Sequence, residues 1–178
     1  LQSPGVSDRI ALSMPSTPKD TKPRLALGAD HAGYCVKERI KTYLQGAGYG
    51  VADFGTQSEE SVDYPDYARQ VAESVAGGQN DLGILVCGTG IGMGMTANKV
   101  PGIRAAVAQD TFTARLGREH NNANVLAIGA RVVDENKAVE IVEAFLASSF
   151  AGGRHERRVK KIDELDVPKL RDAHARQR

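Results

Sequence analysis

Apolar residues in this chain fall into short unbroken runs separated by longer stretches with helical spacing. The runs are Leu25-Ala26-Leu27-Gly28, Val51-Ala52-Asp53-Phe54-Gly55, Leu82 to Cys87, Ile103 to Val107 and Val125 to Ile128. They do not alternate apolar and polar residues, so they predict strands of a parallel sheet covered on both faces. Between them, Val36, Ile40 and Leu44 recur every four residues, and Gly46 and Gly48 close that helix. A second helix opens at Asp63-Tyr64-Pro65-Asp66, where Pro65 suits a first turn, and carries Ala68, Val71, Ala72 and Val75 inside. A third helical segment lies near Thr111 to Glu119. Ala138, Ile141, Val142, Phe145 and Leu146 mark a long amphipathic helix, and a basic final helix begins near Gly153. Five strands alternating with helices predict an α/β chain with a three-layer Rossmann-like fold around a five-stranded parallel sheet. The predicted domain spans residues 24–165. Residues 1–23, rich in Ser, Pro and Thr, read as a disordered extension or a remnant of expression, and 166–178 as a C-terminal tail.

Composition narrows the function classes. The 178 residues suit one domain, 41% of them are hydrophobic, and none is Trp, so the core must be aliphatic. No apolar run approaches the roughly 18 residues of a membrane span. A net charge of +1 gives no drive toward nucleic acid or a membrane surface. Charge is uneven, however. Arg154, His155, Arg157, Arg158, Lys160 and Lys161 crowd into nine residues against Glu156 alone, as a site for a small anion or a solvated helix face would. No nucleic-acid role is expected of that stretch, because no aromatic stacking residues accompany it. Two cysteines, Cys35 and Cys87, form neither a disulfide framework nor a zinc spacing, so the expected compartment is reducing and cytoplasmic.

In open α/β sheets, ligands sit beyond the carboxyl ends of the strands. The first predicted strand leads to Asp30-His31, the third to Cys87-Gly88-Thr89-Gly90-Ile91-Gly92, the fourth to Gln109-Asp110, and the fifth to Gly129-Ala130-Arg131. Gly88, Gly90 and Gly92 permit a tight turn that exposes amides, and a helix beginning just after them favours negative charge, including a thiolate. Cys87 is then either a base or a buried inert thiol. Asp30 is either a functional acid or the cap of the next helix, and His120 either a functional or a structural imidazole. Arg154 and Arg158, four apart, would share one helix face and suit phosphate capture. A rival pattern, Gly92-Met93-Gly94-Met95-Thr96-Ala97 with Asp110 18 residues beyond Gly92, imitates a dinucleotide fingerprint. It starts five residues after its strand, too late for the turn that fingerprint needs, and leaves a non-catalytic nucleotide-binding module as the remote alternative.

Gly28-Ala29-Asp30-His31-Ala32-Gly33, Asp63-Tyr64-Pro65-Asp66, Cys87 to Gly92, Ala97-Asn98-Lys99, His120 to Val125 and Gly152-Gly153-Arg154-His155 with Arg158 together resemble the ribose-5-phosphate isomerase B family, which includes isomerases of galactose, allose and tetrulose phosphates. The resemblance covers Arg24 to Leu165. It implies a metal-free, cofactor-free aldose–ketose isomerase acting on an open-chain phosphosugar through an enediolate. It also implies a homodimer or tetramer with active sites built from two subunits. By resemblance, Cys87 is the base between C1 and C2, and Thr89 with the amides of Gly88, Gly90 and Gly92 stabilises the oxyanion. His120 and Asp30 open the furanose ring, and Tyr64 and Asn121 contact the sugar. Arg131, Arg154 and Arg158, with His31, clamp the phosphate. Some members replace the cysteine by a Glu six residues later; here that position is Met93, which cannot accept a proton, so only the cysteine version can run. Gly94-Met95-Thr96 departs from the expected run before Ala97. The resemblance implies ribose 5-phosphate and ribulose 5-phosphate as substrates, with allose 6-phosphate, galactose 6-phosphate or erythrulose phosphate as alternatives.

Overall fold

The computed structural model describes residues 22–166. Apart from residues 22, 23 and 166, the predicted extension and tail lie outside them. All five predicted strands form: β1 (Leu25–Ala29), β2 (Val51–Asp53), β3 (Leu82–Cys87), β4 (Ala105–Val107) and β5 (Val125–Gly129). They make one parallel sheet in the order β2-β1-β3-β5-β4. The helices are α1 (Tyr34–Gly46), α2 (Tyr64–Ala76), α3 (Ile91–Ala97), α4 (Thr111–Asn121), α5 (Glu135–Leu146) and α6 (Glu156–Asp163), with short 3₁₀ turns at His31–Gly33 and Gly153–His155.

The sheet is covered on both faces, as its unbroken apolar strands require. On one side Leu25, Leu27, Ile84, Leu126 and Ile128 pack against Ile40 and Leu44 of α1, Ala114 of α4 and Ile141 and Phe145 of α5. On the other, Ala26, Leu85, Val125 and Ala127 meet Val71 and Ala72 of α2 and Met93 and Ala97 of α3. Burying an aliphatic side chain of this size contributes about 1.5–3 kcal/mol, so the two layers dominate the stability.

Two strands are shorter than the apolar runs predict, and side-chain hydrogen bonding explains both. β2 stops at Asp53 because its Oδ1 accepts the Gly55 N–H (2.9 Å) and turns the chain. β4 starts only at Ala105, because Asn124 Oδ1 takes the Arg104 N–H (2.8 Å). The Asn98 amide then brackets Ala105, accepting its N–H (2.7 Å) and donating to its carbonyl (3.0 Å). That pairing satisfies part of a sheet edge.

The β2 turn is anchored by a buried cation. Lys37, fully buried, donates to Asp53 Oδ2 (2.8 Å), and Lys41 donates to the same oxygen (2.7 Å). Burial opposes the Asp53 carboxylate, yet the bonds from Lys37, Lys41 and the Gly55 amide hold it below its ordinary range. Thr56 N–H in turn donates to the Ala29 carbonyl (3.0 Å), tying this turn to the end of β1.

Candidate active site

The central strand β3 ends between β1 and β5, where the direction of strand addition reverses. Cys87 closes it. Its Sγ accepts the Gly90 N–H (3.2 Å), and the residue is buried, 5% exposed. Gly90 has φ +78°, and a Cβ there would stand 3.0 Å from the Ile128 carbonyl carbon, so this bend needs glycine. The bend sets Thr89 outward, exposed, with its hydroxyl accepting the Ile91 N–H (3.4 Å). Arg131 lies over Gly88: its N–H donates to the Gly88 carbonyl (3.0 Å), and its side chain passes 3.5 Å from where a Gly88 Cβ would be. The Tyr64 ring covers Gly92, which has no room for a methyl group.

From the β1 side, Asp30 N–H donates to the Val86 carbonyl (3.3 Å). Its buried carboxylate accepts the Gly33 N–H (3.0 Å), the capping role anticipated as the alternative. His31 Nδ1 accepts the Val62 N–H (3.2 Å), which fixes that nitrogen as the unprotonated one and leaves Nε2 as the donor. Asp30, His31, Tyr64, Cys87, Gly88, Thr89, Gly90, Gly92 and Arg131 thus stand together at the carboxyl ends of β1 and β3.

The remaining predicted residues stand elsewhere. Asp110 caps α4 beside this rim, accepting the Thr113 N–H (2.8 Å), and the helix then runs away from it for 11 residues, about 16 Å. His120 and Asn121 lie at its far end. Asn121 borders a groove of about 510 Å³ with Ile103, Arg104 and Ala105, at the amino end of β4. Arg154 sits in the 3₁₀ turn and Arg158 in α6, so they are not on one continuous α-helical face. His155, between them in sequence, stacks on His120, with centroids 4.2 Å apart and planes 9° from parallel. The predicted residues therefore fall into two groups: a thiol with a glycine loop and Arg131 at one end of the domain, and His120, Asn121, Arg154 and Arg158 at the other. Arg131, Arg154 and Arg158 have no carboxylate partner among the described residues, which leaves their charge for an anion.

Gln109 belongs to the first group although no motif pointed to it. Its Nε2 donates to the Thr89 carbonyl (2.8 Å) and its Oε1 accepts the Gly129 N–H (3.0 Å), so it staples the loop to the end of β5. Its one sequence signal is its place just past β4. The glycines of the dinucleotide-like pattern lie inside α3, Gly92 under Tyr64 and Gly94 against Val107, rather than in a strand-to-helix turn. Among the described residues no group of three or more acidic, Cys or His side chains is placed to hold a metal ion, and no helix is long and apolar enough to cross a membrane.

A parallel three-layer domain whose central strand ends in a thiol and a glycine loop is the architecture of an α/β enzyme with its candidate site at the strand ends. The sequence profile of the Ribose/Galactose Isomerase family matches residues 25–162, and the chain belongs to that family. It is 48% identical over 143 residues to ribose-5-phosphate isomerase B of Escherichia coli K12, covering 80% of this chain and 96% of that one. The solved ribose-5-phosphate isomerase B of Clostridium thermocellum superposes with a TM-score of 0.79 at 52% identity, over 80% of this chain and 97% of that one. The type B enzyme of Trypanosoma brucei gives 0.78 at 46%, over 82% and 99%.

Proposed function

We propose that this chain is an aldose–ketose isomerase that interconverts ribose 5-phosphate and ribulose 5-phosphate through an enediolate, with Cys87 as the base. The observation that carries the reading is the place of Cys87 at the end of the central strand β3, where its Sγ meets the glycine loop and accepts the Gly90 N–H at 3.2 Å. Thiolate sulfur takes the proton from C2 of the open-chain aldose, and electrons flow into the carbonyl to give the enediolate. A proton passes from O2 to O1, and the thiol returns hydrogen to C1. Thr89 and the amides of Gly88 and Gly92 stabilise the enediolate oxygens, while the Gly90 N–H, expected to join them, is spent on Cys87 Sγ. Asp30 and His120 open the furanose, Tyr64 and Asn121 hold the sugar, and His31, Arg131, Arg154 and Arg158 hold the phosphate. This remote grip lets binding energy orient the reacting carbons. The step needs neither metal nor redox cofactor.

The separation of the two groups of residues supports a symmetric assembly, a homodimer or a tetramer, in which one subunit's Cys87 loop meets the other's His120, Asn121, Arg154 and Arg158. Exposed Ile91 and Met95 on α3, with Phe112 and Val107 beside them, offer an apolar surface next to the Cys87 loop for such a contact. Both cysteines are free, which suits a reducing, cytoplasmic setting. The test is Cys87→Ala assayed with ribose 5-phosphate in EDTA: turnover is abolished while phosphosugar binding by calorimetry persists. Near-normal turnover would remove Cys87 as the base.

A further inference from the structure

Between α5 and α6 the chain turns through Gly152 (φ +64°) and Gly153 (φ +54°). Ala151 N–H donates to the Glu119 carbonyl (2.9 Å), which pins this turn to the last turn of α4. His155 N–H closes the 3₁₀ turn on the Gly152 carbonyl (3.1 Å). The result is the parallel stack of His155 on His120 at 4.2 Å. The same imidazole meets Arg154: the guanidinium Nε–H donates to His155 Nε2 at 3.4 Å, a long bond. An accepting ring nitrogen carries no proton, so this contact requires neutral His155.

The surroundings favour that neutral form. Desolvation, then the neighbouring His120, Arg154 and Arg158, hold His155 below the ordinary histidine range. The nearby acids are engaged elsewhere: Glu119 of α4 pairs with Arg115 (3.0 Å), and Glu156 of α6 with Lys160 (3.2 Å). Neither His120 nor Arg154 makes another side-chain hydrogen bond, ion pair or ring stack among the described residues. His155 touches both.

We propose that His155 is a positioning residue whose ring face sets the plane of His120 and whose Nε2 holds the Arg154 guanidinium, so that the ring-opening group and the phosphate clamp form one unit. This rests on the roles given above to His120 and Arg154. Its two functions separate by substitution. His155→Phe keeps a flat ring and loses the acceptor: KM for ribose 5-phosphate rises about three- to tenfold, inhibition by inorganic phosphate weakens in parallel, and kcat stays within about twofold. His155→Gln keeps an acceptor and loses the ring: kcat falls about three- to tenfold, with KM and phosphate inhibition near wild type. His155→Ala shows both losses, and in the Arg154→Ala background His155→Phe adds nothing further to KM.

His155 is only half-buried on the surface turn, so all these variants are expected to fold, and thermal denaturation checks it. Phe and Gln variants that both match wild type overturn the proposal. So do variants that lose kcat and KM together in proportion to lost thermal stability. If His120→Ala and Arg154→Ala are themselves silent, the underlying reading of the site fails. If those two act and the His155 variants do not, only this inference fails.

Discussion

Gly129 faces the backbone of Thr89 so closely that a Cβ on Gly129 would lie 2.8 Å from Thr89 Cα. Backbone cannot swing aside as a flexible side chain can, so Gly129→Ala must push the 88–92 loop away from β5. The expected cost is about 1–3 kcal/mol of stability, the usual penalty for overpacking. The larger effect falls on kcat, because the enediolate amides move with the loop. Urea denaturation and steady-state kinetics check both; unchanged kcat would mean that the loop tolerates the shift.

Gln109 holds the same contact from outside, with one bond to each side of it. Gln109→Leu keeps the bulk and removes both bonds. About 1–3 kcal/mol of stability is expected to go, with a fall in kcat/KM of about tenfold. Gln109→Glu, which restores the acceptor but not the donor, recovers only part of the loss. Equal behaviour of the two variants in the isomerase assay would argue against the staple.

Two separated groups on one chain make a sharp expectation for mixed subunits. Cys87→Ala and His120→Ala are each expected to be inactive alone. Dissociated, mixed in equal amounts and reassembled, they recover about one quarter of wild-type activity, because half of the dimers are hybrids and each hybrid holds one intact site. No recovery, with hybrid dimers shown by mass spectrometry, would place all the catalytic groups in a single subunit.

Acid should loosen the β2 end of the molecule. Asp53 is held below its ordinary range despite burial by the hydrogen bonds from Lys37 and Lys41, and Asp81 by Arg24. For a carboxylate lowered in the folded state, the stabilisation is fully present above the unfolded value near about pH 4. It is lost as pH falls through the lower folded value. Urea midpoints measured from pH 6 to 2 therefore drop most steeply below about pH 4. Asp53→Asn is expected to lie about 1–3 kcal/mol lower at pH 7, since Lys37 and Lys41 lose the carboxylate they share and keep only Glu38, and to fall less steeply in acid. Parallel curves for the two proteins would remove Asp53 from the acid transition.

Much of the fold was legible because its signals are local. Leu82 to Cys87 is an unbroken aliphatic run of strand length, and Val36, Ile40 and Leu44 make a clean apolar face on a helix, whereas a strand would put Glu38 and Thr42 on that same face. The strand ends of β4 and β2 depart from the apolar runs because Asn124, Asn98 and Asp53 spend their side chains on backbone groups, and apolar spacing carries no record of that. The swap that puts β5 inside and β4 at the edge was also invisible, since both read as short aliphatic runs.

For the candidate site, the residue types and their motifs suggest the chemistry: a thiol before alternating glycines, a histidine beside asparagine, and a basic stretch with Glu156 as its one acid. Which of these meet was decided only by the fold. The length and direction of α4 carry His120 away from Cys87, so that residues read as one set of motifs divide between opposite ends of the strands. The stacking of His155 on His120 and the reach of Gln109 to Thr89 join residues 35 and 20 positions apart. Such pairings depend on how layers pack in three dimensions, and local sequence encodes the parts without encoding their distances.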